Sequence, residues 1–219
     1  ALLVVILLLT SKLWRVRKDL WTLAVIVGIG IIAQAIVGGI TVWTGLNPFI
    51  VGFHYVSSLL LVCVSAAFLM RMDEPGGPRV LAVPRWYAGL THFTAAVLAV
   101  SIAFGVLTTG AGPHSGDTES GRNGFDATLL EHVHAWPGYA LLALTIVLVA
   151  IAWVQQLPTR NWGIALLAAQ FVQVAIGLYQ ARNGLPVLAV GIHMVLAALT
   201  AAAMTLFILR MKRPVDTAA

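Results

Sequence analysis

The sequence predicts an all-α fold, a polytopic membrane helical bundle made of two pseudo-repeated four-helix units. Hydrophobic residues make up 60% of the 219-residue chain and charged residues only 10%, whereas a soluble domain carries about 25% charged residues. The chain also repeats itself at an offset of 139 residues, since Gly45-Leu46 and Val51-Gly52-Phe53-His54 recur as Gly184-Leu185 and Val190-Gly191-Ile192-His193. A duplicated apolar chain with a histidine in each copy is typical of a membrane protein built from internal repeats.

Six segments are long and apolar enough to cross a bilayer as helices, because a crossing needs about 20 apolar residues. Proline and glycine separate them, as in Pro75-Gly76-Gly77-Pro78 and Gly184-Leu185-Pro186. Residues 1–10 are also apolar, and we expect them to be the end of a partial first span. The predicted full spans are 20–43, 48–70, 86–108, 130–154, 161–181 and 186–210.

The repeat also predicts how the chain divides. Ala1 aligns with Ala140 under the 139-residue offset, so residues 1–10 correspond to the second half of span 130–154, and span 86–108 has no counterpart. We therefore expect a complete protein of eight spans, of which the first span and the outer half of the second precede Ala1. Four crossings return to the starting side, so the two units should share one orientation. The predicted divisions are an incomplete first unit (1–71), a cytoplasmic linker (72–85), a second unit (86–213) and a tail (214–219).

Loop charge predicts the orientation. Eleven of the 13 basic residues lie in one set of loops, which is therefore expected to be cytoplasmic together with the C-terminus. The opposite loops hold only Arg122 and Arg182, so the long segment 109–129 is expected outside. The net charge of +5 would favour nucleic acid in a soluble protein, but here it follows membrane topology, and nothing supports nucleic-acid binding. The cytoplasmic set is Lys12, Arg15, Arg17, Lys18, Arg71, Arg79, Arg85, Arg160, Arg210, Lys212 and Arg213.

Three histidines are the candidate ligands. His54, His134 and His193 lie near the outer ends of their spans, roughly 5–12 Å deep at 1.5 Å per residue. Ionisable groups at that depth are costly and usually functional, and two histidines from separate helices are a recurrent way to hold heme in a bundle. His134 and His193 form such a pair, whereas His54 is half of a pair whose other member would precede Ala1. His132 lies two residues from His134, so only one of them should face the pocket.

Other polar residues leave alternatives open. Each histidine taken singly could do no more than bond a backbone carbonyl. His92, toward the cytoplasmic end of its span, is expected to be structural. His114, in the external glycine-rich loop, either contacts propionates or substrate or is a plain loop residue. Glu131, one turn before His134, either shares the pocket or is solvated at the end of its span.

The chain resembles the heme A synthase family over essentially its whole length. The residues that carry the resemblance are Val37–Pro48 (VGGITVWTGLNP) before His54, and Leu107–Asp117 (LTTGAGPHSGD), which is similar to the family's external TGAGPHAGD segment. The resemblance also includes His134 at the start of its span and the segment Gly191-Ile192-His193-Met194. The style of the segments is bacterial and actinobacterial-looking, which implies a multi-pass protein of the bacterial cell membrane with heme pockets toward the outside.

The resemblance implies an oxidoreductase that converts the C8 methyl of heme O to a formyl, giving heme A for cytochrome oxidase assembly. It implies heme b on His134 and His193, and substrate heme O or product heme A on His54, with His114 nearby. The family's catalytic glutamate maps before Ala1, so no catalytic residue is assigned here, and Glu131 is only its repeat counterpart. Expected partners are the bilayer, heme O synthase, oxidase assembly factors, an electron partner that the residues do not identify, and a further copy of the chain.

Two other functions use the same features. A membrane diheme b-type electron-transfer protein needs the helix-borne histidines but no substrate pocket, and it leaves the TGAGPH segment unexplained. A transporter with a histidine proton relay would place polar residues near mid-membrane, whereas these histidines lie near the outer face.

Overall fold

A computed structural model describes residues 11, 13–113 and 120–215, and six of its helices are long and apolar enough to cross a membrane. Each predicted span matches one of them to within a few residues at either end, so the chain is a multi-pass membrane protein. The expected partial span at 1–10 lies outside the described residues. The elements in chain order are α1 (Leu13–Val16), α2 (Lys18–Trp43), α3 (Pro48–Met72), β1 (Arg79–Leu81), α4 (Arg85–Ala111), α5 (Ala127–Val154), α6 (Arg160–Arg182), α7 (Val187–Leu209) and β2 (Lys212–Pro214).

The turns α2–α3 and α6–α7 are built alike. Gly45 and Leu46 have φ of 64° and 58°, and Gly184 and Leu185 have φ of 70° and 55°. In both turns the leucine N–H bonds the carbonyl five residues back, at 2.8 Å for Leu46 and 2.9 Å for Leu185. This is the left-handed closure that commonly ends a helix, and the glycine enters it without a Cβ penalty. A proline then starts the next helix or immediately precedes it.

Helices α4 to α7 form a closed ring. Each packs on the next along the chain, and α7 returns to pack on α4. The core between them contains the fully buried side chains of Tyr87, Leu148, Leu166 and Phe207. In the other part of the chain, α3 packs on both α4 and α7, while α2 packs on α3. Helices α4 to α7 therefore pack as a ring of four, and α3 docks against two of them.

An ion-pair network joins the helix ends at what we call the basic end, the side of the bundle that carries segments 73–84, 155–159 and 210–215. The Arg17 guanidinium donates at 2.8 Å to the backbone carbonyls of both Arg71 and Glu74 and pairs with Asp19. Arg17 also donates hydrogen bonds to the Asp19 carboxylate, and these raise the pKa of the Arg17 guanidinium above its ordinary value. The Glu74 carboxylate pairs in turn with Arg79.

A two-stranded sheet at the basic end departs from the sequence prediction. The sequence predicts an all-α chain with a plain linker over 72–85 and a tail after residue 213. Instead β1 pairs antiparallel with β2, with Arg79 opposite Pro214 and Leu81 opposite Lys212. Three-residue strands are too short to show the alternation that marks a strand in sequence. The pairing ties the linker to the C-terminal segment, so neither is a free connection.

Candidate functional site

His134 and His193 face each other across the interior of the closed bundle. They belong to α5 and α7, which are diagonal in the ring, and their ring centroids lie 6.1 Å apart with an interplanar angle of 80°. His134 is seven residues into α5 and His193 six residues into α7, so both lie about 9–11 Å below their helix starts. The two residues expected to form a pair are thus brought together at the same depth.

The His134 ring is fixed by α4. Its Nδ1 lies 2.9 Å from the backbone carbonyl oxygen of Ser101, and since a carbonyl only accepts, Nδ1 carries the proton and Nε2 keeps its lone pair. Gly105 makes room for the ring, because a Cβ there would come within 2.8 Å of His134 Cε1. His132 is exposed, and its Nδ1 bonds the Thr128 carbonyl of its own helix. Of the two neighbouring histidines, His134 is the one that faces the interior.

The His193 ring lies against α6. A Cβ added to Gly177 would be 3.2 Å from His193 Cε1, so the glycine lets the ring approach the helix. The Gln173 side chain donates to the backbone carbonyl of His193 at 3.1 Å. The ring itself is less constrained, because its buried Nδ1 has no hydrogen-bond partner among the described residues.

The surroundings of His54 repeat those of His193. A Cβ added to Gly38 on α2 would be 3.5 Å from His54 Cε1, and the buried His54 Nδ1 likewise lacks a partner in the described part of the chain. His54 is six residues into α3, the same depth as His193 in α7. The residues described, however, place no second imidazole ring against it. Among the described residues, His54 is therefore a single histidine with the same glycine contact and the same position in its helix as the paired His193.

Small polar residues surround His54 where apolar ones surround His193. Gln34 donates to Ser57 at 2.7 Å, and Ser58 donates back to the Gln34 oxygen at 3.2 Å. Both serine hydroxyl oxygens also lie within hydrogen-bond distance of the His54 backbone carbonyl, at 3.1 Å for Ser57 and 2.8 Å for Ser58. At the offset of 139, Leu196 and Ala197 stand in place of the two serines, and Gln173 bonds the His193 carbonyl directly.

The histidine pair offers two imidazole ligands, which is the number that a heme iron takes from a protein. No group of three His, Cys, Asp or Glu side chains able to hold an ion occurs in the described ranges. A heme iron held by both imidazoles would lie between α5 and α7, where the ring centroids are 6.1 Å apart. Metal-ligating histidines usually donate their other ring N–H to a partner such as a backbone carbonyl, and the Ser101 carbonyl would serve His134 in this way.

Other predicted site residues lie apart from the pair. Glu131 is exposed at the start of α5, and His92 is exposed on α4. His114 lies outside the described residues. The sequence reading overlooked Ser101 and Gly105, although their four-residue spacing places them on one face of α4.

No protein-family model matches the chain, and neither does any curated protein or solved structure. The interpretation of the site depends on its residues and their geometry.

Proposed function

We propose that the chain is the membrane core of a heme A synthase, which oxidises the C8 methyl group of heme O to a formyl group. The observation that carries this proposal is the pair of facing rings of His134 and His193, 6.1 Å apart between diagonal helices. His54 adds a second pocket with the same glycine contact and the same partnerless Nδ1. The proposal assigns the resident heme b to His134 and His193 and the exchangeable heme O to His54.

The proposal includes two pseudo-repeated units. Its support is local: the turns at Gly45 and Gly184, the glycine contacts of His54 and His193, and the matching depths of these histidines. Positive-inside charge supports a cytoplasmic basic end, with the histidines toward the outer face of a bacterial cell membrane. Heme O synthase, oxidase assembly factors, an electron partner and a further copy of the chain remain the proposed partners.

The proposed roles follow from the contacts of each side chain. His134 and His193 would hold heme b, and the Ser101 carbonyl keeps His134 in the tautomer whose Nε2 is free to bind a metal. His54 holds the iron of heme O, and the bonds from Ser57 and Ser58 to its carbonyl help to fix the start of α3. The bound heme supplies one-electron chemistry. The apolar helices exclude water from both pockets and face the lipid from which a hydrophobic porphyrin would enter.

A diheme b-type electron-transfer protein is the second candidate, because the histidine pair is all that such a protein requires. It predicts that heme O is bound without being converted, or not bound at all. Both candidates retain heme b. They differ in whether heme O is converted to heme A.

The deciding experiment extracts porphyrins from membranes of cells that express the full-length protein with heme O synthase. Their masses are compared with those from an empty vector and from the His54→Ala variant. We expect heme A or its hydroxylated precursor with the wild-type protein and with the His92→Ala control, but not with the empty vector or with His54→Ala. Heme b with unconverted heme O would favour the electron-transfer protein, and absence of any heme from the purified protein would contradict both candidates. His92→Ala is the matched control, since it removes an exposed intramembrane histidine.

A further inference from the structure

A hydrogen bond joins the helix of His54 to the helix of His193. The Tyr55 hydroxyl on α3 donates to the backbone carbonyl of Met194 on α7, at 2.8 Å between oxygens. Tyr55 directly follows His54, and Met194 directly follows His193. The two bonded residues are 139 positions apart, which is the offset of the sequence repeat. The bond therefore lies between counterpart positions of the two histidine pockets.

Side chains hold the backbone at His193 from two sides. Gln173 on α6 donates to the carbonyl of His193, and Tyr55 on α3 donates to the next carbonyl. A carbonyl in mid-helix already accepts the N–H four residues ahead, so these donors are additional. Within a bilayer no water competes for such groups. The two bonds fix the height and rotation of α7 relative to α6 and α3.

The direction of the His193 ring depends on that backbone. The His134 ring is bonded to Ser101, but the His193 Nδ1 has no partner among the described residues. Its direction is set by the position of α7 and by the contact with Gly177. A small rotation of α7 therefore turns the His193 ring relative to the His134 ring.

We propose that Tyr55 is a positioning residue that makes the His193 ligand respond to what His54 binds. This inference rests on the proposed function. A porphyrin held by His54 shifts the first turns of α3, and the Tyr55 hydroxyl passes that shift to the Met194 carbonyl and so to α7. Because coupling between binding sites is reciprocal, the state of the heme b pocket also changes the affinity for heme O.

The test compares Tyr55→Phe with Tyr87→Phe in the full-length protein. Tyr87 is a matched control, because it is a buried tyrosine whose hydroxyl lies 3.0 Å from Thr159 Oγ1 and 3.3 Å from the Leu148 carbonyl, at the basic end. For each protein the midpoint potential and the electron paramagnetic resonance (EPR) spectrum of heme b are recorded with and without saturating heme O.

We expect heme O to shift both signals in the wild type and in Tyr87→Phe. In Tyr55→Phe both hemes should bind, but the shift should fall by roughly half or more. An undiminished shift in Tyr55→Phe would overturn the inference and leave the synthase proposal intact, as would a wild-type protein that binds both hemes without a shift. A wild-type protein that binds no heme b would overturn the proposed function and the inference together.

A measurement on the wild type covers the case in which Tyr55→Phe does not fold. Oxidised-minus-reduced infrared difference spectra of heme b are recorded with and without ring-labelled tyrosine. We expect a tyrosine C–O band that shifts with the label and persists in Tyr87→Phe. Absence of that band would overturn the inference, because a hydroxyl that holds α7 must respond when the His193 ligand changes its bonding.

Discussion

The hairpins α2–α3 and α6–α7 place a histidine in the same way and differ in what surrounds it. Both have a left-handed turn, a histidine six residues into the second helix and a glycine opposite its ring. His193, however, faces His134, while His54 faces no second histidine among the residues described, and Ser57 and Ser58 replace apolar residues beside it. The turn, the position of the histidine and the glycine contact are thus alike in the two hairpins, whereas the side chains beside the histidine differ.

The largest expected effect is on the paired pocket. His193→Ala or His134→Ala should abolish stable heme b, because one remaining axial ligand does not hold a heme rigidly between α5 and α7. Heme content per protein, from the absorbance of the extracted pyridine complex, is the measurement. His132→Ala is the control and should keep its heme, since that ring points out of the bundle. Heme loss in His132→Ala with retention in His134→Ala would reverse the assignment.

His54→Ala should weaken binding of heme O and leave heme b in place. The reason is that His54 lies outside the closed ring of α4 to α7 and makes no described contact with the His134–His193 pair. Titration of the purified protein with heme O, followed by absorbance, measures the effect. Loss of both hemes in this variant would mean that the pockets are not independent sites.

Three glycines lie against the histidine rings, and they differ in how closely an added Cβ would approach the ring. A Cβ would lie 2.8 Å from His134 at position 105, 3.2 Å from His193 at 177 and 3.5 Å from His54 at 38. Only the last is an ordinary contact. We therefore expect Gly105→Ala to perturb the heme b spectrum most, Gly177→Ala less, and Gly38→Ala to leave heme O affinity nearly unchanged. The opposite ranking would show that these rings do not lie against the glycines.

Gly52 and Gly191 lie 139 residues apart, at corresponding positions of the sequence repeat. Replacing each with alanine should change the free energy of unfolding of the protein by a different amount. A Cβ at Gly52 would come 2.5 Å from Val106 on α4, whereas one at Gly191 meets nothing within 4 Å. Gly52→Ala should lower the free energy of unfolding by about 1–3 kcal/mol through overpacking. Gly191→Ala should be neutral or stabilising by up to about 1 kcal/mol. Thermal unfolding midpoints in detergent measure both, and equal midpoints would contradict the difference in packing.

Apolar length was enough to predict the six spans, and the offset of 139 residues placed His54 and His193 at the same position in α3 and α7. The choice between His132 and His134 was not open to sequence reasoning alone, because it depends on the rotation of α5 against α4. Ser101 and Tyr55 were missed for the same reason, since each acts on a helix remote in sequence. The short sheet at the basic end has too few residues for a periodic signal, and the sequence marks Arg79 there only as a basic loop residue that indicates topology.

The most direct test of the proposed heme ligands His134 and His193 is an EPR spectrum of the oxidised, full-length wild-type protein. Two imidazole planes at 80° predict a highly anisotropic low-spin ferric signal with a large principal g value, which His132→Ala should retain and His134→Ala should lose. A high-spin signal, or a low-spin signal that survives in His134→Ala, would contradict the claim that His134 and His193 together hold one heme.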